Sequence, residues 1–135
     1  MNQKARALGM AKTKFVEATG LSEKNISTLR DLNLLTSYAL RKDLFRQIIK
    51  IYSTKVKTES GYQFPVTSTN RMLRTDQDIF GIKTGYLEEA GQCFIGGSEQ
   101  HGHQLITILL GSNGHYSRFQ ETRSLINWAY NSYQW

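Results

Sequence analysis

The chain has 135 residues, a length that suits one compact domain with a single core and is too short for two. Its 17 Lys and Arg against 11 Asp and Glu give a formal net charge of +6, which favours anionic partners. The basic residues are scattered and are not interleaved with aromatic residues, so we expect a solvated basic surface and no nucleic-acid partner.

Three helices are predicted in the first part of the chain. Lys4 to Leu8 has the pattern of a helix end, with Gly9 as the residue that stops it. Ser27 is a suitable N-cap for an amphipathic helix over 28–41, whose apolar face consists of Leu29, Leu32, Leu35 and Ala39. A short helix is predicted at 43–50. The segment after Met1 is polar and does not resemble a signal peptide, and no apolar run is long enough to span a bilayer.

The rest of the chain is dominated by predicted β-structure. Residues 52–60 alternate and are rich in β-branched side chains, which indicates a strand or an extended arm, and Gly61 and Pro65 mark the loop after it. Three further strands, at 79–84, 91–98 and 103–111, are joined by short turns and predict an antiparallel meander. The last of them is apolar on both alternating faces, so we expect it to be covered on both sides in a layered fold.

A terminal helix completes the predicted fold. Ser117 and Gln120 have the spacing of a capping box, and an apolar stripe follows at Phe119, Ile126, Ala129, Tyr130 and Tyr133. This stripe is expected to lie across one face of the sheet. The predicted fold class is therefore α+β, an antiparallel sheet packed with helices in one domain over 1–135.

The segment FGIKTGYLEEAG, residues 80–91, places Lys83 between an apolar run and a glycine. NRML stands about ten residues upstream of the K-T-G tripeptide, EEAGQCFIGG follows it, and SRF opens the terminal helix. In this order and spacing the chain resembles the C-terminal half of the catalytic domain of the penicillin-binding D-alanyl-D-alanine carboxypeptidases, serine enzymes that trim peptidoglycan stem peptides. The first segment, MNQKARALGMAKTKFVEATGL, resembles the same family, so the resemblance covers essentially the whole chain.

The resemblance implies a partial β-lactamase/transpeptidase-like fold and a role for each residue of the K-T-G region. Lys83 would provide positive potential near the nucleophile and the substrate carboxylate, and Thr84 would offer its hydroxyl to that carboxylate. Gly85 would leave space for the substrate backbone, and the backbone N–H of Tyr86 would be one donor of the oxyanion hole. Arg118 matches a family arginine near the terminal carboxylate of the substrate.

The family's nucleophile is a serine in an S-x-x-K motif, and no serine of this chain is followed by lysine at that spacing. Ser68-Thr69-Asn70 satisfies the family's S-x-N motif. In the family, however, that motif lies upstream of the segment that matches the start of this chain, whereas Ser68-Thr69-Asn70 lies far downstream of it, just before Arg71. We therefore interpret the match as a coincidence. The chain alone is therefore predicted to be inactive, with no cofactor and no metal.

The resemblance also predicts partners and location. The expected partners are peptidoglycan stem peptides ending in D-Ala-D-Ala, and β-lactams when an N-terminal half completes the site. The edge of strand 103–111 would lack the strands that normally pair with it, which predicts a homodimer, a swapped assembly or a complex with a separate N-terminal half. For the family, an extracytoplasmic or cell-envelope location is expected.

Two other interpretations stay open. The first is a non-catalytic module that uses the K-T-G groove to bind peptidoglycan peptides. The second is a thiol site that combines Cys93 with His101, His103 or His115, although a cysteine in an apolar strand is usually inert. His101 and His103 could ligate a metal, but no carboxylate or cysteine joins them at a characteristic spacing, so an exposed polar turn is the simpler interpretation.

Overall fold

A computed structural model describes all residues, 1–135. Its helices and strands, in chain order, are α1 (Asn2–Ala7), α2 (Leu29–Ala39), α3 (Asp43–Ile48), β1 (Ser53–Lys57), β2 (Gln63–Thr67), α4 (Met72–Thr75), β3 (Ile79–Leu87), β4 (Gly91–Gln100), β5 (His103–Ser112) and α5 (Ser117–Ser132). None of these helices combines the length and the apolar character that crossing a bilayer requires. The mixture of helices and antiparallel strands confirms the predicted α+β class.

The central feature is a three-stranded antiparallel sheet in the order β3-β4-β5. It confirms the predicted meander. His101 and Gly102 connect β4 to β5 with φ angles of 51° and 81°, and this left-handed pair matches the twist of a tight hairpin. β3 extends to Leu87, beyond the predicted end at residue 84, so the K-T-G residues lie inside the strand.

One face of the sheet is covered by α5. Phe94 of β4 is fully buried there and meets the ring of Phe119 edge-on, with 5.3 Å between ring centroids. Ile126 lies about two turns further along α5 and is also fully buried. Met72 and Ile79 complete the same apolar cluster. The terminal helix therefore lies on the sheet as its apolar stripe predicted.

The opposite face is covered less completely, by α2 and the segment before it. A cleft of about 550 Å³ lies between them and the sheet, lined by residues that include Leu32 of α2, Cys93 of β4 and Leu110 of β5. Because successive strand residues point to opposite faces, Cys93 faces this cleft while its neighbour Phe94 faces α5. We call this surface the cleft face.

β5 thus has helices against both faces, in agreement with the layered position predicted for it. It is nevertheless an edge strand, paired with β4 alone, and only two of its ten residues are buried. Leu110 is 46% exposed. The continuous apolar pattern of β5 is therefore only partly buried within these 135 residues.

Two predicted helix caps are wrong. Thr28, not Ser27, is the N-cap of α2, and its hydroxyl accepts a hydrogen bond of 3.2 Å from the backbone N–H of Asp31. The Ser27 hydroxyl instead pairs with that of Thr13 at 2.8 Å, next to the bridge between Lys14 and Ile26. α5 begins after Tyr116 without a side-chain cap, so Ser117 and Gln120 form no capping box.

The predicted loop at Pro65 is also wrong, because Pro65 lies inside β2 and pairs with Lys55 of β1. A two-stranded ribbon consists only of edges, and an edge strand tolerates a residue without a backbone N–H. Tyr133, which was predicted to belong to the apolar stripe, lies beyond the end of α5 and is 57% exposed.

Candidate active site

The K-T-G segment lies on β3, which is an edge strand of the sheet because only β4 pairs with it. No strand of the chain pairs with its outer side, so another extended chain can be added there. Gly85 pairs in register with Cys93, so Gly85 and Lys83 point to the cleft face, while Thr84 shares the face of Phe94. The Lys83 side chain is exposed, and its ammonium donates to the carbonyl oxygen of Thr84 at 2.5 Å.

The Thr84 hydroxyl is hydrogen-bonded to the hydroxyl of Thr69, with 2.5 Å between the two oxygens. Thr69 is the central residue of Ser68-Thr69-Asn70, the segment that was interpreted as a coincidental motif. Its neighbour Asn70 is buried, and the Asn70 side-chain oxygen accepts from the backbone N–H of Met72, which fixes the loop before α4. Sequence reasoning missed Thr69 because no spacing rule connects a loop residue to a strand fifteen residues later.

Gly85 has open space above it. A Cβ placed there would meet only the Cβ of Cys93, at 3.7 Å, which is ordinary van der Waals contact. Internal packing therefore does not require glycine at this position. Tyr86 follows opposite Gln92, with its side chain 61% exposed.

Arg118 is the one residue of the predicted site that is deeply buried, at 3% exposure. Its guanidinium donates to the carbonyl oxygen of Gly85 at 3.1 Å and lies 4.8 Å from the centre of the Phe119 ring. No carboxylate pairs with it, and its buried Nε has no hydrogen-bond partner. Burial lowers the pKa of Arg118 because the charged form loses water, and Cys93 acts in the opposite direction.

The structure thus brings the predicted residues together at one sheet edge. Lys83, Thr84, Gly85 and Tyr86 are consecutive in β3, and Arg118 reaches them from the first turn of α5. The edge carries the exposed ammonium of Lys83 and the hydroxyl of Thr84, and the buried guanidinium of Arg118 lies against Gly85; each of these groups can donate to an anion. Charge-assisted hydrogen bonds of this kind are typical of carboxylate binding.

The cysteine and histidines of the weaker interpretation are engaged elsewhere. The Cys93 thiol contacts the carbonyl oxygens of Ala90 and Gly91, at 3.6 and 3.9 Å. The His103 ring packs at a tilt against Trp135 with 5.4 Å between centroids, and the His115 ring meets Tyr116 at 5.1 Å. These contacts give no geometry for a thiol–imidazole pair.

Residues 1–114 match peptidase family S11, the D-alanyl-D-alanine carboxypeptidases. The D-alanyl-D-alanine endopeptidase of Escherichia coli is 32% identical over 130 residues, which cover 95% of this chain and 42% of the relative. The D-alanyl-D-alanine carboxypeptidase DacF of Bacillus subtilis is 24% identical over 135 residues, 99% of this chain and 35% of the relative.

Solved structures show the same similarity. The Streptomyces K15 DD-transpeptidase has a TM-score of 0.88 at 26% identity, covering 96% of this chain and 52% of its own. Penicillin-binding protein D2 from Listeria monocytogenes, in its cefotaxime-bound form, has a TM-score of 0.80 at 35% identity, covering 93% of this chain and 51% of its own. The predicted transpeptidase-like fold is therefore confirmed.

The chain spans about half the length of these solved structures, and less than half of the two relatives from Escherichia coli and Bacillus subtilis. The family match extends from the first residue through all three strands of the sheet and includes the K-T-G segment. The chain belongs to the D-alanyl-D-alanine carboxypeptidase family, a family of hydrolases.

Proposed function

We propose that this chain is part of a serine D-Ala-D-Ala carboxypeptidase that removes the terminal D-Ala from peptidoglycan stem peptides. Its contribution is the half of the site that holds the substrate. The observation that carries this proposal is Arg118, a buried guanidinium without a carboxylate partner that bonds to Gly85 of the K-T-G segment. A buried charge is costly to leave unpaired, which favours an anionic ligand at this position.

The substrate would bind as an additional strand along the free edge of β3. Its terminal carboxylate would accept hydrogen bonds from Thr84 and Arg118, with Lys83 adding positive potential, and the space above Gly85 would admit its backbone. The N–H of Tyr86 would donate to the carbonyl oxygen as negative charge develops there, a contribution of about 2.7 to 4 kcal/mol to transition-state stabilisation.

The nucleophile would come from polypeptide outside these 135 residues, since no serine here begins an S-x-x-K motif. In the proposed reaction the serine oxygen attacks the carbonyl carbon between the two D-alanines, with its proton passing to the lysine of that motif. The C–N bond then breaks, D-Ala leaves after taking up a proton, and water hydrolyses the acyl-enzyme ester. We expect this chemistry outside the cytoplasm, at the cell envelope.

A second candidate function is a non-catalytic module that binds the same peptides, favoured by the absence of S-x-x-K from the chain. Fluorescent penicillin discriminates between the two. We expect no covalent label on the chain alone in either case, because acylation needs a competent serine. Labelling of an added N-terminal half that carries S-x-x-K, dependent on this chain, supports the carboxypeptidase, whereas a complex that binds peptide without any label supports the binding module.

Peptide binding tests the substrate-holding role itself. An N-acetylated Lys-D-Ala-D-Ala peptide should bind the chain, and its C-terminal amide should bind at least about tenfold more weakly because a charge-assisted bond is lost. Arg118→Gln should remove this preference. Arg74→Gln, an exposed arginine of α4, is the matched control and should retain it. Equal affinity of the wild-type chain for the acid and the amide would contradict the proposal.

We further propose that β5 and the cleft face are covered by additional polypeptide, either a second copy or the N-terminal half of the catalytic domain. The outer edge of β5 has no partner strand, and Leu110 is 46% exposed beside the cleft of about 550 Å³. Size-exclusion chromatography should show a dimer, or a complex when the N-terminal half is added. A monomer that persists on dilution and does not bind the added half would contradict this.

A further inference from the structure

Arg71 and Tyr116 form an ordered pair at the surface between α4 and α5. One terminal nitrogen of Arg71 donates to the Tyr116 hydroxyl at 2.7 Å, and the guanidinium carbon lies 4.8 Å from the centre of the Tyr116 ring. Stacking and hydrogen bond together hold the guanidinium in one orientation. Both residues are exposed, so the pair is open to solvent.

The positive charge of Arg71 is not neutralised by the chain. No carboxylate lies within ion-pair distance of it. The pair borders a cleft of about 630 Å³, in which Asp76 is the one acidic residue, and Asp76 is already paired with Arg123. The cleft therefore carries a net positive charge that comes from Arg71.

Both side chains of the pair keep N–H or O–H donors that their mutual hydrogen bond does not use. Arg71 uses one nitrogen for the tyrosine, which leaves further N–H groups of its fork free. Tyr116 accepts from Arg71, so the proton of its own hydroxyl is available to a third group. An arginine fork beside a free hydroxyl suits a carboxylate, which can accept from both.

Each member of the pair is two residues from a residue that contacts the K-T-G segment. Arg71 follows Thr69, which bonds to Thr84, and Tyr116 precedes Arg118, which bonds to Gly85. Two residues of extended chain span at most about 7 Å. The backbone of each member therefore lies within about 7 Å of the backbone of a residue that contacts the K-T-G segment.

We propose that Arg71 and Tyr116 bind a second carboxylate of the peptide substrate, carried by a residue on the amino side of D-Ala-D-Ala. The first carboxylate, at the C-terminus, is assigned to Lys83, Thr84 and Arg118. This inference rests on the proposed function, and it makes the Arg71–Tyr116 pair a determinant of specificity for acidic stem peptides.

Matched peptides test the inference. Four N-acetylated peptides end in D-Ala-D-Ala and carry glutamate or glutamine at the first or the second position before it, with the other position held as alanine. In one of the two positions, the glutamate peptide should bind the wild-type chain about three- to fivefold more tightly than its glutamine counterpart, the range of an exposed ion pair. This preference should fall as salt is added, because salt screens exposed charges.

Variants assign the preference to the pair. Arg71→Gln should reduce the ratio of the two affinities to about one without changing the affinity for the glutamine peptide, because the C-terminal carboxylate site is intact. Tyr116→Phe keeps the ring and should remove part of the preference, because only the hydroxyl donor is lost. Arg74→Gln, which removes an exposed arginine of α4 three residues after Arg71, should leave the preference unchanged.

The outcomes separate this inference from the proposed function. Binding of all four peptides with equal affinity, or a preference that persists in Arg71→Gln, overturns the inference while the carboxylate-terminated peptide is still bound. Binding of none of the peptides overturns the proposed function and the inference with it.

Discussion

The two faces of the sheet differ in how completely they are covered. On the α5 face, Phe94 and Ile126 are fully buried and an edge-on aromatic pair closes the core. On the cleft face, Cys93 is half-buried, Leu110 is 46% exposed, and a cleft of about 550 Å³ separates α2 and the segment before it from the sheet. The same three strands thus have one face packed like a protein interior and one face open.

This difference indicates which parts of the chain hold the fold and which are available for function. The buried cluster on the α5 face includes Phe94 of β4 and Ile79 of β3, and β3 pairs with β4 through the K-T-G residues, so the K-T-G edge is supported from the α5 face. Lys83 and Gly85 point to the open face, where a substrate or further polypeptide has room. Rigid support behind an open groove is what a pre-organised site requires.

Truncation of a large side chain on each face should show the greatest contrast. Phe94→Ala removes a fully buried ring and should lower the free energy of unfolding by about 3–5 kcal/mol. Leu110→Ala, at a side chain that is 46% exposed, should cost less than about 1 kcal/mol. Urea denaturation of both variants measures the difference, with Phe94→Leu as a milder change at the buried site. Similar losses at both positions would contradict the comparison.

Adding one methyl group should give a smaller contrast of the same sign. A Cβ at Gly96, on the α5 face, would lie 2.9 Å from the Thr107 hydroxyl and 3.0 Å from the Phe94 ring, so Gly96→Ala should destabilise the fold by about 1–3 kcal/mol. Gly85→Ala, on the cleft face, should change stability by less than about 1 kcal/mol, because only Cys93 lies near.

Gly85→Ala should also alter peptide binding. Gly85→Ala should bind a D-Ala-D-Ala peptide more weakly although its stability changes by less than about 1 kcal/mol, because the methyl group takes space assigned to the substrate backbone. Weaker binding by Gly85→Ala together with a stability loss well above about 1 kcal/mol would indicate that the glycine is structural and would remove its assignment to the groove.

The smallest expected effect is the pH dependence of the loop around Glu17. The Thr19 hydroxyl, with further donors from the 19–25 loop, lowers the pKa of Glu17 from 4.5 to about 2. A lowered folded-state pKa stabilises the loop above pH 4.5, and this contribution is lost as the pH falls through 4.5 towards 2. NMR chemical shifts of the Thr19 and Gly20 amides should follow this titration while those of β4 stay constant. Glu17→Gln should abolish the pH dependence, and a midpoint near 4.5 in the wild-type chain would contradict it.

Much of the fold could be predicted from local patterns. The strands at 79–84, 91–98 and 103–111 and the terminal helix follow from hydrophobic period and turn residues, and the structure confirms them within a few residues. The errors lie where local chemistry had two solutions. Ser27 and Thr28 are both good caps, but the Ser27 hydroxyl pairs with Thr13, and the Thr28 hydroxyl accepts from the N–H of Asp31. Pro65 favours a loop in general but is tolerated in a ribbon with no inner strand.

The candidate site divides in the same way. Lys83, Thr84 and Gly85 are contiguous, so a sequence motif is sufficient to identify them. No motif identifies Thr69, Arg71 or Tyr116, because each makes its hydrogen bond with a partner that is distant in the chain.

The sequence by itself determined the family, the order of the strands and the residues of the K-T-G edge, because these depend on residue types at short spacing. Tertiary structure alone decided that Thr69 bonds to Thr84, that Arg118 is buried against Gly85, and that Arg71 pairs with Tyr116 across 45 residues. Such contacts arise when the loop before α4 and the start of α5 are packed against the edge of one sheet, and no local propensity specifies that arrangement.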